Sequence, residues 1–184
     1  MFAEDEANSY LLISEIAGVS AIDESLKNDI PRVVRQLVGG LRMIHDVPLE
    51  NCPFNATLEE KIEIARDRIL KGKVEEEDFD EERLGRRAAD VFGEMLAAVP
   101  EDRDLVFAHG DYCLPNVILK RGRLSGFVDL AEAGAADRYQ DLALLSRSVR
   151  HNFGEEYERL VFEFYGIEPD HEKIHFYRLL DEFF

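Results

Sequence analysis

Residues 105–129 read LVFAHGDYCLPNVILKRGRLSGFVD, and this segment is the most informative part of the sequence. Its three short apolar runs, at 105–108, 117–119 and 124–128, each bounded by polar residues or glycine, predict three β-strands. The last two runs are separated only by the turn sequence Lys-Arg-Gly-Arg at 120–123, so they are expected to form a hairpin. A hairpin brings its two ends together, so the residue before its first strand becomes a neighbour of the residue after its second.

Three side chains with oxygen atoms fall at the open end of this hairpin. Asp111 lies on the loop after the first strand, Asn116 directly precedes the second, and Asp129 follows the third. Mg²⁺ prefers oxygen ligands and completes its shell with waters and substrate phosphates. The Asp-x-x-x-x-Asn spacing with a later Asp is typical of the kinase catalytic loop, so the pattern predicts phosphoryl transfer from ATP with Mg²⁺. His109 is interpreted as a structural residue that bonds to the loop backbone.

The rest of the chain is predicted to be mostly helical. Apolar residues recur at three- and four-residue spacing in six segments, which are 30–44, 58–69, 88–96, 137–151, 155–166 and 171–183. Residues 9–16 are expected to form a short strand that leads into a connector. Gly39 and Gly40 inside the first helix predict close packing against a neighbour, because each costs about 1 kcal/mol relative to alanine in a helix. The sequence therefore predicts an α+β fold, a mostly helical domain with one small β-hairpin region.

The net charge of −17, from 22 basic and 39 acidic residues, restricts the partners. A field of this sign repels nucleic acids and anionic membranes, so neither is expected to bind, whereas a polycationic ligand is attracted. The alternative is that the acidity serves only solubility. No apolar run approaches the length of a membrane span, and the acidic N-terminus does not resemble a secretion signal. With only Cys52 and Cys113 as cysteines, we expect a cytoplasmic protein.

Several segments together resemble the aminoglycoside 3'-phosphotransferases, the kanamycin kinase family. They are HGDYCLPN at 109–116, SGFVD at 125–129, ADRYQD at 136–141, FYRLLDEFF at 176–184, NCPF at 51–54 and the acidic stretch at 75–82. The resemblance covers nearly the whole chain. It implies a protein-kinase-like fold, in which residues 17–184 form the C-terminal catalytic and aminoglycoside-binding lobe. Residues 1–16 would be a remnant of the hairpin and hinge of an N-terminal lobe that is otherwise largely absent.

The resemblance also implies an activity, which is ATP-dependent phosphorylation of the 3'-hydroxyl of aminoglycoside antibiotics, giving resistance. Asp111 would accept the proton of the sugar hydroxyl, and Asn116 and Asp129 would hold Mg²⁺ against the ATP phosphates. Asp141 would brace the catalytic loop through backbone hydrogen bonds. The implied substrate-binding residues are Asp80, Glu81, Arg147, Asp181, Glu182 and Phe184 with its terminal carboxylate. Residues 75–77 are expected to be solvated.

The sequence departs from this family in three respects. Glu132 stands where the family usually has Arg, and Ser148 stands where Asp is common. The chain also lacks a Gly-rich loop and a strand with the phosphate-pairing Lys, which suggests a missing N-terminal lobe. Phosphoryl transfer depends on positioning and electrostatics, so we expect such a chain to react more slowly by orders of magnitude.

Two other functions remain open. The chain could be a non-catalytic remnant that binds cations, or a kinase for another small alcohol such as choline. The second alternative gives no reason for the Asp-Glu-Phe-Phe ending at 181–184.

Overall fold

Six α-helices form the bulk of the regular structure in the computed structural model, which describes residues 2–4, 9–11 and 13–184. They are α1 (Ile30–His45), α2 (Leu58–Leu70), α3 (Ala88–Ala97), α4 (Tyr139–Phe153), α5 (Glu155–Tyr165) and α6 (His171–Asp181). The periodicity of apolar residues predicted all six. No helix within the described residues combines the length and apolar character needed to cross a bilayer.

The strands of the described residues form three small antiparallel sheets. Strands β1 (Phe2–Glu4) and β2 (Ser9–Leu11) pair with each other. The second sheet has the order β3-β5-β6, with β3 (Val19–Ser20), β5 (Val117–Lys120) and β6 (Arg123–Phe127). The third sheet pairs β4 (Leu105–Ala108) with β7 (Gly134–Asp137). The predicted hairpin is therefore present and carries one further strand on its β5 side.

One helix start differs from the prediction. A helix was predicted from residue 137, but β7 occupies Gly134–Asp137 and α4 begins only at Tyr139. The sequence of β7 has little strand propensity of its own, and its pairing with β4 decides the conformation. The short strand and connector predicted for residues 9–16 correspond to β2 (Ser9–Leu11) and to residues 13–17, which have no regular structure; residue 12 lies outside the described residues.

The main core lies between the helices and the inner side of the hairpin. Fully buried side chains from several elements meet there, including Leu37, Leu41, Met95, Leu119, Leu142, Phe176 and Phe183. Gly40 of α1 packs as predicted, since a Cβ at this position would lie 2.8 Å from the hydroxyl oxygen of Tyr112, but Gly39 faces open space. The Tyr112 hydroxyl donates to the Leu37 carbonyl at 2.7 Å. Helix α1 thereby anchors the loop that follows β4.

Candidate active site

The hairpin brings Asn116 and the segment before Asp129 together. Its strands pair Val117 with Phe127, and the Val128 amide donates to the Asn116 carbonyl at 3.0 Å. The tight turn at the other end has Arg121 and Gly122 at φ values of 54° and 69°. Two successive positive φ values are typical of the type I′ turn, whose twist matches that of the flanking strands. The local sequence thus sets the register that places the two metal-site candidates at one end of the hairpin.

Asn116 also fixes the orientation of Asp111. Its side-chain amide nitrogen donates to the Asp111 carbonyl at 3.0 Å and to Asp111 Oδ2 at 2.7 Å. Both contacts use the amide nitrogen, so Oδ1 of Asn116 is left to bind a cation. The second Asp111 oxygen, Oδ1, is likewise not engaged by Asn116. The amide therefore serves two purposes, since it orients the candidate base and offers one oxygen ligand.

Asp129 lies in the same cleft as Asp111. Its side chain is exposed, its φ of 59° lies in the left-handed region, and its carboxylate has no hydrogen-bond or ion-pair partner in the part of the chain that the structure describes. Among the described residues, no three His, Cys, Asp or Glu side chains meet as a metal site. The Asp129 carboxylate and the Asn116 amide oxygen nevertheless suit Mg²⁺, which takes few protein ligands and completes its shell with water and phosphate.

His109 ties the catalytic loop to the hairpin. Its Nε2 lies 3.0 Å from the Val128 carbonyl, and its Nδ1 lies 3.4 Å from the Asp111 amide nitrogen. Nε2 faces a carbonyl and therefore carries the proton, so that Nδ1 can accept. The side chain is buried, which suits the structural role predicted for it.

Asp141 holds the same loop from the side of α4. Its carboxylate accepts the backbone N–H groups of His109 at 2.8 Å and Gly110 at 2.9 Å. Gly110 has a φ of 92°, and a Cβ there would lie 2.2 Å from the Glu132 carbonyl oxygen. Only glycine therefore allows the loop to approach the segment after β6 so closely. These are the backbone contacts expected of a residue that braces the catalytic loop.

Cys113 lies on the same loop, next to the reacting region. Burial, with the negative charge of Asp111 as the next contribution, raises the pKa of its thiol to about 12. The thiol therefore stays protonated at neutral pH and is a poor nucleophile. Asp111, and not Cys113, is therefore the candidate general base of this loop.

The cleft at Asp111 continues toward the acidic stretch of the sequence. The part around Asp111 is lined by Lys61, Arg68, Gly110, Asp111, Asp129, Ala131, Glu132, Asp181 and Phe184. The adjoining cavity is lined by Arg68, Val74, Glu75, Asp78, Phe79, Asp80, Arg147, Asp181, Glu182, Phe183 and Phe184. Three residues, Arg68, Asp181 and Phe184, line both parts. The candidate base therefore lies in a cavity that directly adjoins the one lined by Asp80, and the carboxylates of Asp80 and Asp181 are called the acidic wall below.

Arg147 bridges the two carboxylates of the acidic wall. Its guanidinium donates to Oδ2 of Asp80 at 3.0 Å and to Oδ2 of Asp181. Burial alone would lower the pKa of Arg147, but these two carboxylates outweigh burial and the pKa is raised. Arg147 thus remains charged, and it occupies only the Oδ2 atom of each carboxylate. The Oδ1 atoms of Asp80 and Asp181 remain able to accept hydrogen bonds from a ligand.

Two of the predicted substrate-binding residues, Glu182 and Glu81, are placed less favourably for a ligand than Asp80 and Asp181. The Glu182 side chain is only 3% exposed, and it accepts from Arg83 at 3.0 Å and from the Asp80 amide at 3.1 Å. Its carboxylate is thereby engaged in fixing the acidic stretch against the end of α6. Glu81 is exposed and lines a neighbouring depression with Arg150, not the part of the cleft that contains Asp111. A substrate contact for either residue stays a prediction.

Phe184 lies in the cleft between two cations. Its carbonyl accepts from Arg68 at 3.1 Å, and its ring centroid lies 4.7 Å from Lys61 Nζ and 6.0 Å from the Arg68 guanidinium carbon. Sequence reasoning did not select Lys61 and Arg68. Their seven-residue spacing on α2 places them on one helix face, which is the signal that could have found them.

The remaining positions singled out in the sequence either line the cavity or stabilise the fold. Residues 75–77 are exposed, as expected, and Glu75 also lines the cavity together with Asp78. Glu76 accepts from the Ala88 amide at 2.7 Å, which satisfies a backbone donor in the first turn of α3. Ser148 accepts from the Leu114 amide at 3.0 Å, so the residue that departs from the family pattern still anchors the loop before Asn116.

A kinase-type catalytic loop, followed by a hairpin that ends in an aspartate, defines a phosphotransferase of the protein-kinase-like fold. The chain belongs to the phosphotransferase enzyme family, whose model matches residues 2–177. Similar curated proteins include an aminoglycoside 3'-phosphotransferase of Niallia circulans, 39% identical over 99% of this chain and 70% of the relative. One of Escherichia coli is 37% identical over 100% of this chain and 68% of the relative.

Solved structures agree with this assignment. A crystal structure of an aminoglycoside-3'-phosphotransferase of type VIII superimposes with a TM-score of 0.93 at 34% identity, covering 100% of this chain and 72% of that one. The aminoglycoside phosphotransferase APH(3'')-Id from Streptomyces rimosus, in complex with ADP and streptomycin, gives a TM-score of 0.86 at 28% identity over 100% and 73% of the two chains. The predicted α+β, kinase-like fold class is confirmed.

Proposed function

We propose that this protein transfers the γ-phosphoryl group of ATP to the 3'-hydroxyl of an aminoglycoside, in the cytoplasm, with Mg²⁺. The observation that carries the proposal is that the cavity containing Asp111 adjoins the cavity with the acidic wall, since Asp181 lines both. A polyammonium sugar bound along that wall presents a hydroxyl at Asp111. The relatives support the substrate class, since the similar curated proteins are aminoglycoside 3'-phosphotransferases and the Streptomyces rimosus relative was solved with ADP and streptomycin.

In the proposed reaction, the sugar oxygen forms a bond to the γ-phosphorus while the bond from that phosphorus to the oxygen bridging it to the β-phosphate breaks. Asp111 accepts the hydroxyl proton, and the hydrogen bond from Asn116 to Asp111 Oδ2 fixes the orientation of the carboxylate. Asn116 Oδ1 and the Asp129 carboxylate would hold Mg²⁺, which neutralises charge on the phosphates when bound. The carboxylate of Asp141 keeps the loop rigid through the amides of His109 and Gly110.

The acidic wall would bind the ammonium groups. Hydrogen bonds between charged partners contribute about 1.5–3 kcal/mol each. Asp80 and Asp181 each offer the oxygen that Arg147 does not use. Arg147 holds both carboxylates in place through these hydrogen bonds, so the wall is preorganised before the substrate arrives.

We also propose that residues 17–184 form the C-terminal catalytic and aminoglycoside-binding lobe and residues 1–16 the hinge side of an N-terminal lobe. The separate pairing of β1 with β2 supports this division, because this hairpin belongs to neither of the other sheets of the described residues. The comparison is consistent with it, since the chain spans 70% of the Niallia circulans relative.

The function is tested by incubating the protein with ATP, Mg²⁺ and kanamycin and analysing the product by ³¹P NMR. A second sample is a fusion in which an N-terminal lobe, taken from the N-terminal part of the Niallia circulans relative, is joined before Met1. Phosphate ester at the 3'-position, formed faster by the fusion, is the expected result. A parallel incubation contains choline in place of kanamycin. Turnover of choline but not of kanamycin would show that the substrate is another small alcohol and not an aminoglycoside. Calorimetric binding of kanamycin, without turnover by either sample, would favour a cation-binding protein.

Asp80→Asn tests the acidic wall. The change removes one carboxylate from the wall, so KM for kanamycin is expected to rise by about tenfold or more, while kcat changes little. The effect should shrink at high salt, because the contact is partly exposed and is screened. Asp46→Asn, an exposed position remote in sequence from the wall, is the matched control for charge. An unchanged KM for Asp80→Asn would contradict the proposed binding surface.

A further inference from the structure

Helix α2 inserts a buried cation into the cleft. The Lys61 side chain is only 4% exposed, and its ammonium donates to Oε2 of Glu132 at 3.2 Å. The same nitrogen lies 4.7 Å from the ring centroid of Phe184. Lys61 lines the cleft together with Asp111 and Asp129, although it belongs to neither the catalytic loop nor the hairpin.

A fixed cation of the protein would favour phosphate binding near Asp111, in addition to the proposed Mg²⁺. Four carboxylates line this part of the cleft, those of Asp111, Asp129, Glu132 and Asp181. They repel the negative charge of a phosphoryl group, and a fixed cation offsets this repulsion without reorganisation during the reaction.

Two cations are present in this part of the cleft, and their hydrogen bonds differ. Arg68 uses one terminal nitrogen on the carbonyls of Lys73 and Phe184, at 3.4 Å and 3.1 Å. Lys61 makes one side-chain hydrogen bond within the described residues, to Glu132, and an ammonium group carries three donors. Two donors of Lys61 are therefore left for a ligand. Arg68 also keeps donors, since its buried Nε has no hydrogen-bond partner among the described residues. Of the two adjoining cavities, however, Lys61 lines only the one around Asp111, whereas Arg68 lines both, so Lys61 is the better placed of the two to contact phosphate oxygens there.

We propose that Lys61 is the phosphate-binding cation of this cleft and that Glu132 is its positioning residue. The ammonium would donate to a non-bridging oxygen of the phosphoryl group, while Glu132 and the face of Phe184 hold it in place. This inference rests on the proposed function. It also gives a physical reason for a carboxylate at position 132, because the charge of Glu132 is compensated by Lys61.

The competing explanation is purely structural, namely that the ion pair ties α2 to the segment after β6. The two explanations predict different behaviour of two substitutions. Lys61→Met keeps the apolar stem and removes the ammonium. Glu132→Gln keeps an oxygen for Lys61 and removes the negative charge near the phosphate. A structural tie is weakened by both changes, whereas a phosphate-binding cation is lost only in the first.

The probe is inorganic tripolyphosphate with Mg²⁺, titrated calorimetrically into the whole protein. Lys61→Met is expected to weaken binding by about tenfold or more, and Glu132→Gln to leave it equal or tighter. Lys61→Arg should recover part of the loss. Lys71→Met, an exposed lysine just after α2, and Glu172→Gln, an exposed position on α6, are the matched controls. Melting temperatures of all variants show whether a change acts through folding.

Kinetics give a second measurement. Lys61→Met is expected to lower kcat for kanamycin phosphorylation by about 10²-fold, with KM for kanamycin nearly unchanged. Equal losses of tripolyphosphate binding in Lys61→Met and Glu132→Gln, or wild-type binding in Lys61→Met, would overturn the inference. If Lys61→Met does not fold, weakened binding in Glu132→Gln alone would overturn it. Loss of tripolyphosphate binding in Lys61→Met, in a protein that phosphorylates no aminoglycoside, would reject the proposed function but support the phosphate site.

Discussion

Asp111→Asn is expected to lower kcat for kanamycin phosphorylation by about 10²–10⁴-fold, the usual contribution of a general base. The substitution keeps the shape of the side chain but removes its ability to accept the hydroxyl proton. It also turns the short contact between Asn116 Nδ2 and Asp111 Oδ2, now 2.7 Å, into one between two amides. Steady-state assays of the purified variant at saturating ATP and kanamycin measure the effect.

The control for this experiment is Asp46→Asn, which changes the net charge equally at an exposed position outside the cleft. Kanamycin binding by Asp111→Asn, measured by calorimetry, should remain, since the carboxylates of Asp80 and Asp181 are intact. A variant that retains more than about a tenth of the wild-type kcat would show that Asp111 is not the base. In that case, the proton would have to go directly to solvent or to the phosphate.

The part of the site that sequence predicts well is the part set by local chain geometry. Asn116 and Asp129 flank a hairpin whose turn and apolar runs are visible in the sequence, so their proximity follows from strand register alone. Asp141 is different. Its contact with the amides of His109 and Gly110 bridges more than thirty positions, and only the resemblance to a known family indicated it.

The features that sequence did not reveal depend on tertiary contacts. Lys61 enters the cleft because α2 packs beside the segment that contains Glu132, and nothing in the spacing of either residue indicates that meeting. Strand β7 forms because β4 needs a partner for its backbone groups, although its Gly-Ala-Ala-Asp sequence favours no strand. The ion pair between Glu182 and Arg83 likewise joins residues far apart in the chain, and the sequence around neither residue indicates it.

Asp141→Asn is expected to reduce the free energy of unfolding by about 3–5 kcal/mol, because it leaves buried donors without an acceptor at about 1–3 kcal/mol each. The Asp141 carboxylate is fully buried and accepts from the amides of His109 and Gly110 and from His45 Nε2 at 3.0 Å. An asparagine at this position offers one oxygen for three donors and adds an amide group that has no acceptor there. Urea denaturation, compared with the exposed control Asp46→Asn, measures the loss.

Asp141→Asn should also affect catalysis, because Asp141 connects the catalytic loop to a chain of hydrogen bonds that continues through His45. Its Nδ1 lies 2.7 Å from the Tyr165 hydroxyl, which in turn accepts from Arg138 at 3.1 Å. The hydrogen bonds therefore run from Arg138 through Tyr165 and His45 to Asp141 and the catalytic loop. We expect kcat of the folded fraction of Asp141→Asn to fall as well, with KM for kanamycin unchanged. A variant that loses stability but keeps its kcat would mean that the loop holds its conformation without this brace.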